Sequence, residues 1–227
     1  GKMTKSNAAG YVAPVPIPEV VMGINAFARG MRSVNPKAEV KVVWVNSWFD
    51  SGKERQAADT LISQGADVVT HHTDSTAAVQ AAEAKNVYAV AYHSDMSKYG
   101  PKAHLTAVTH QWGDYYTKTA QSALDGKWKP GSVWGGIKEG MIKLAPFNKA
   151  VPKDVQDQVM KVEADIKAGK FHPFTGPVKD NEGKERIAAH EHDLLTYAEG
   201  RLREINSLRL IGTARGKGPV ISFEMKG

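Results

Sequence analysis

No cysteine occurs among the 227 residues, which excludes disulfides, thiolate zinc sites and a cysteine nucleophile. Blocks of like charge are missing too. Thirty Lys+Arg stand against 24 Asp+Glu, a net charge of +6, and the basic residues are scattered among acids, so no nucleic-acid partner is expected. No apolar stretch approaches the roughly 20 residues of a membrane span. Gly1-Lys2-Met3-Thr4-Lys5 is not followed by the apolar core of a signal peptide, so the chain is expected to carry no sorting signal. Nucleophile elbow, P-loop, Gly-x-Gly-x-x-Gly and His-Glu-x-x-His spacings are all absent, and no enzyme is expected.

What is present is a globular composition, 41% hydrophobic and 24% charged, enough for one large core or two modest ones. The first hundred residues alternate short apolar runs with amphipathic stretches. Gly10–Ala13 reads as a strand, and Val20, Val21, Ile24, Phe27, Ala28 and Met31 recur at helical spacing between the prolines at 16 and 18 and Asn35-Pro36. Val40–Val45 is a run suited to a strand buried on both faces. Ala57, Ala58, Leu61 and Ile62 then form a second helical stripe that stops at Gly65. Asp67–Thr70, a helix burying Ala78, Val79 and Ala82, and Val87–Tyr92 complete the repeat.

Three crossovers between four such strands predict a doubly wound, mainly parallel α/β sheet. Ligands on such sheets sit beyond the carboxyl ends of the strands. Those ends are Pro14-Val15-Pro16, Asn46-Ser47-Trp48-Phe49-Asp50, His71-His72-Thr73-Asp74-Ser75 and His93-Ser94-Asp95, all polar or aromatic except the first. His71, His72 and His93 invite a metal reading, but neighbours on a strand point to opposite faces, so no metal is expected. Farther on, His104–Thr109 reads as a fifth strand, Asp114–Leu124 as a helix, and Trp134–Leu144 as a glycine-interrupted strand pair. A helix from Pro152 carries Val155, Val159, Val162 and Ile166 on one face, and Phe171–Gly183 reads as a loop. The tail reads as a helix from Ile187 to Ile205, with Leu194, Leu195, Ala198, Leu202 and Ile205 inward, then strands Leu208–Gly212 and Pro219–Phe223. On that helix His190 and His192 lie about 200° apart, as on a solvated face.

Gly10-Tyr-Val-Ala-Pro-Val-Pro-Ile-Pro-Glu-Val, Asn25-Ala-Phe-Ala-Arg-Gly, Val45-Asn-Ser-Trp-Phe-Asp and Gly65-Ala-Asp-Val-Val closely resemble the basic membrane protein family. The resemblance covers residues 1–186 and implies the flavodoxin-like C-terminal lobe of a type I periplasmic binding protein, with most of the N-terminal lobe absent. It implies a lipoprotein of a purine or nucleoside ABC importer, periplasmic or lipid-anchored, whose partner is a permease. This chain, without a leader, is expected to be a cytoplasmically expressed recombinant product. Ligand-binding candidates are Trp48, Asp50, His71, Thr73, Asp74, Ser75, His93 and Asp95. Trp48 either stacks on a purine or packs on the next helix. Asp50 is expected to cap the helix beginning at Ser51, and Asp74, Ser75 and Thr76 to combine capping with binding. Nucleoside-binding relatives generally carry an aspartate for the ribose hydroxyls where His93 stands here, which tilts the ligand toward a free base such as adenine. A half-pocket is expected to bind weakly or not at all, unless two chains pair through the exposed lobe face into a homodimer.

Ile187-Ala-Ala-His-Glu-His-Asp-Leu-Leu-Thr-Tyr-Ala, Leu202-Arg-Glu-Ile, Leu210-Ile-Gly-Thr-Ala and Gly218-Pro-Val-Ile-Ser-Phe resemble the small domain of cysteine desulfurases, over residues 187–227. The cysteine loop and the cofactor lysine region are not included, so no cofactor, pyridoxal phosphate among them, is expected. Two families in one chain imply an engineered chimera, a scaffold without native ligand or activity being the alternative to a weakened binding lobe; a natural fusion is the other origin. The α-β-β tail would then cover sheet surface that the missing lobe leaves bare. Trimming the chain at residue 186 should therefore cost solubility and cooperative melting; a truncation that stays soluble and melts cooperatively makes the tail dispensable.

Overall fold

Each of the first four apolar runs forms a strand: β1 (Ala8–Ala13), β2 (Glu39–Trp44), β3 (Val68–His71) and β4 (Tyr88–His93). β5 (His104–His110) and β6 (Ile142–Leu144) join the same sheet, in the order β2-β1-β3-β4-β5-β6. The first five are parallel and β6 runs antiparallel to β5. This is the doubly wound, mainly parallel α/β sheet expected. The computed structural model describes residues 1–176, 178, 196–205, 207–211 and 222–225.

The connecting helices begin and end where local chemistry dictates. α1 (Pro18–Val34) starts on a proline, whose fixed φ suits the first turn. α2 (Ser51–Ser63) is capped by Asp50, whose carboxylate accepts the Lys53 N–H at 3.0 Å. α3 (Ala77–Lys85) ends on Asn86 in the left-handed conformation, φ 54°. α4 (Trp112–Leu124) and α5 (Lys153–Lys167) bury no residue fully.

Strand alternation sorts the core into two layers. Ala9, Tyr11 and Ala13 face α1, against Val20 and Met31. Val12 and Val69 face the other way, against Ala57, Ala58 and Leu61 of α2 and Ala78 and Ala81 of α3. Helices thus cover both faces. The second layer is close: a Cβ on Gly10 would stand 2.7 Å from the Leu61 Cβ.

Three expectations need correction. Of the strand pair expected over Trp134–Leu144 only Ile142–Leu144 forms, because the Gly136–Gly140 stretch closes into a turn, with Gly140 at φ 75° and the Met141 N–H donating to the Gly136 carbonyl, and Trp134 is 93% exposed. Val162 is exposed on α5 while Val155, Val159 and Ile166 are half-buried. In the tail, helix is seen over 196–203, so Ile205 falls past its end and is exposed; Ala198 and Leu202 are half-buried.

The chain divides into two compact units, Gly1–Pro173 and Phe174–Gly227. The second contains the 196–203 helix and the antiparallel pair β7 (Leu208–Ile211) and β8 (Ser222–Met225), the latter beginning three residues later than expected. His190, His192, Leu194 and Leu195 lie outside the described residues.

Gly10→Ala should destabilise the fold by about 1–3 kcal/mol, the usual cost of overpacking, measured by urea denaturation. Adding Leu61→Ala should not rescue it, since the clash is with a Cβ that alanine retains.

Candidate functional site

Five parallel strands deliver their carboxyl ends to one edge, and the loop after β3 splits that edge into a buried and an open side. His71, Thr73 and Ser75 turn inward, each under 7% exposed. There the fully buried Glu54 of α2 accepts the Thr73 hydroxyl at 2.8 Å, the Ser75 hydroxyl at 2.6 Å and the Asp50 N–H at 3.0 Å. His71 Nδ1 donates to the Thr73 carbonyl at 2.8 Å, leaving Nε2 without a partner among the described residues. Ser75 Oγ also accepts the Ala77 N–H and so caps α3. This side is a brace.

His72, although also buried, and Asp74 turn the other way. The His72 ring lies 4.5 Å from Tyr92, 5.7 Å from His93 and 6.1 Å from Trp48. His110, at the end of β5, stands 5.3 Å from Tyr92 and 5.2 Å from His93, and continues to Trp112 at 6.0 Å. His93 Nε2 lies 3.2 Å from the Asp74 carboxylate and 3.3 Å from the His72 carbonyl. Its backbone is left-handed, φ 73°, a conformation that costs a branched or bulky residue more than it costs His or Asn. Trp48 is 42% exposed, and the Asp74 N–H donates to its carbonyl at 2.9 Å. A cavity of about 400 Å³ opens between the tips of β4, β5 and β6, lined by His93, Asp95, Thr109, His110, Gln111 and Lys143 among others. It is a shallow hollow open to solvent, and Trp48, His72 and Tyr92 do not line it.

Burial, and then the charge His93 would carry, hold His72 and His110 below the ordinary histidine range, while Glu19 of α1 pulls the other way. Burial, with Glu19 adding, raises the Tyr92 hydroxyl. Desolvation pushes His71 down to about 4 and also lowers His104. Of the rim's side chains, His72 and His110 are thereby held toward their uncharged forms. Among the described residues no group of three or more His, Cys, Asp or Glu side chains is placed to hold a metal ion, and no helix is long and apolar enough to cross a membrane.

Residues 1–182 match the Bmp family, ABC transporter substrate-binding protein PnrA-like. The chain belongs to this family. It is 52% identical over 190 residues to a purine-binding protein of Brucella abortus, covering 84% of this chain and 54% of that protein. It is 37% identical over 202 residues to TsgA13 of Haloferax volcanii, to which glucose binding for an ABC transporter is ascribed, covering 89% and 52%. The chain spans about half the length of these relatives. An Aeropyrum pernix solute-binding protein of an ABC transporter system has the same fold, at TM-score 0.62 and 15% identity over 86% of this chain and 62% of that one. A short stretch is 58% identical over 45 residues, 20% of this chain and 7% of the other, to a Mycolicibacterium paratuberculosis protein ascribed cysteine desulfurase activity. Bmp-family proteins bind solutes for ABC transporters and are not enzymes.

In this Bmp-family chain the candidate residues separate. Trp48, Asp74 and His93 gather at the open rim; His71, Thr73 and Ser75 belong to the buried brace. Asp50 caps α2 as expected, whereas the Asp74 carboxylate caps nothing and pairs with His93 instead. Asp95 accepts the Ser97 N–H at 2.9 Å at the start of a single 3₁₀ turn, and lies 3.7 Å from buried His104. Tyr92, His110, Trp112 and Glu54 were missed. His110 and Trp112 were findable, because His110-Gln111-Trp112 repeats at β5 the polar-aromatic pattern of the other strand ends.

His71 links the site to stability. Its folded value of about 4 against an ordinary 6.5 means the unfolded chain takes up this proton first as pH falls. Stability should hold above about pH 7 and decline between 6.5 and 4, by about 3 kcal/mol from His71 alone, with His72, His104 and His110 adding in the same direction. Urea midpoints measured across that window test it; an unchanged midpoint contradicts it.

Proposed function

We propose that this chain is the ligand-holding lobe of an ABC-importer substrate-binding protein for a purine base, adenine in preference to a nucleoside. The observation that carries the reading is the ring-lined rim at the strand ends, in a chain 52% identical to a purine-binding protein. Trp48 and Tyr92, backed by the buried His72 ring, offer flat faces to a planar base, worth roughly 1–3 kcal/mol per stacked ring, and imidazole edges supply both donors and acceptors. A ribose diol calls for a carboxylate that accepts twice, and His93 accepts at most once when neutral. A single lobe walls only one side of the ligand, yet binding still costs translational freedom, so affinity for the base falls in the millimolar range. The whole protein's partner on this reading is an ABC permease, and its place the periplasm or the cell surface. A homodimer facing two lobes together is the alternative that light scattering decides.

The family match ending at residue 182 and the 45-residue desulfurase similarity support reading the tail as a separate graft. With no cysteine in the chain the tail has no desulfurase nucleophile, and a ligand-free chimeric scaffold is the second reading. Titrating adenine into the ¹⁵N-labelled chain separates the two: shifts confined to Trp48, His72, Tyr92, His93 and His110, saturating at millimolar concentration, are expected. No shifts favours the scaffold, and shifts with glucose but not adenine overturn the purine assignment.

A further inference from the structure

We infer that Asp74 and the His72 carbonyl lock His93 in one tautomer and make it the specificity-determining acceptor of the rim, so that the site selects a ligand presenting an N–H and rejects one presenting a carbonyl there. The inference rests on the purine-binding reading and names what that site discriminates.

Both groups near His93 Nε2 are acceptors: the Asp74 carboxylate oxygen at 3.2 Å and the His72 backbone carbonyl at 3.3 Å. Neither can donate, so Nε2 carries the hydrogen. In a neutral imidazole the other nitrogen is then a bare lone pair. Nδ1 lies across the ring from these two acceptors and has no hydrogen bond among the described residues, while His93 lines the cavity at the β4–β5 edge. The backbone contributes as well. At φ 73° the residue leaves the strand direction, and Asp74 is itself held in place by its N–H bond to the Trp48 carbonyl at 2.9 Å. The lock is therefore part of the rim's framework.

An acceptor fixed in this way treats the two common substituents of a purine six-position oppositely. An exocyclic amine completes a hydrogen bond to Nδ1, whereas an exocyclic oxygen sets lone pair against lone pair and leaves two acceptors unpaired. Sites built around one hydrogen-bonding sense discriminate strongly because the wrong ligand leaves a polar group unsatisfied.

Two measurements on the intact chain test this at pH 8, above the ordinary histidine range of about 6.5. Long-range ¹H–¹⁵N spectra of the ligand-free protein should show His93 with a protonated Nε2 and an unprotonated Nδ1; a protonated Nδ1 overturns the lock. Titrations with adenine and hypoxanthine should then differ by about tenfold or more in favour of adenine. His93→Asn tolerates the left-handed backbone and can turn either its oxygen or its amide toward the ligand, so it should bring that ratio close to one. Equal binding of the two bases by the unmodified chain, or a ratio that survives His93→Asn, overturns the selectivity assignment alone. Failure of both bases to bind overturns the purine reading, and the selectivity assignment with it, while the tautomer spectrum still decides the lock.

Discussion

Strand alternation is the constraint on which this sheet depends, and it persists past the end of β3. His71, Thr73 and Ser75 face one way and His72 and Asp74 the other, although β3 itself ends at His71. One loop therefore does two jobs. Its odd-numbered side chains bolt it to α2, and its even-numbered ones furnish the rim. Because all five parallel strands release their chains at the same edge, the side chains of three consecutive strand ends meet: His72 after β3, His93 closing β4 and His110 closing β5.

The brace has to be polar, and the physics of Glu54 explains which residues form it. A carboxylate taken out of water is strongly destabilising unless its oxygens are hydrogen-bonded. Glu54 has two hydroxyl donors and one backbone donor within 3.0 Å. Thr73 and Ser75 are therefore hydroxyl residues for a structural reason, and the same bonds hold the loop carrying Asp74 against the start of α2. The Asp74 N–H then ties that loop to the one carrying Trp48. The rim's framework thus rests on a hydrogen-bonded carboxyl group buried behind it.

Much of the fold was legible in the sequence because parallel buried strands read as apolar runs and each crossover helix announces its ends. The Val40–Val45 run, the Asp50 cap and the Gly65 stop all correspond to features of the structure, although β2 is half-buried and not covered on both faces as expected, because it lies at the sheet edge. Residues 134–144 misled because glycines among aromatic and apolar residues read equally as a bulged hairpin or as an irregular loop, and the turn at Gly136–Gly140 settles it toward the loop. In the site, alternation could have assigned His71 and His72 to opposite sides, and it did. Glu54 could not be found this way: nothing in a helix sequence distinguishes a glutamate that points to solvent from one aimed at two hydroxyls some twenty residues on. The His93–Asp74 pair was hidden for the same reason, since its two members come from different strand ends.

Gathering three imidazoles within ring contact is stable only if they are not all charged. Burial lowers His72 and His110, and the charge on a protonated His93 would lower both further, so a proton on one ring makes a second proton on its neighbours harder to add. Neutral imidazoles pack edge to face like other aromatics, which is how His72, Tyr92, His93 and His110 are arranged, with interplanar angles between 53° and 83°. A carboxylate in the place of His93 would accept from any donor in several directions. An imidazole whose hydrogen is already committed accepts from one, along one line. On the proposed purine reading, a ring where a charge could stand trades strength for direction, and direction is what a planar heterocycle, with donors and acceptors fixed around its edge, requires of the surface that reads it.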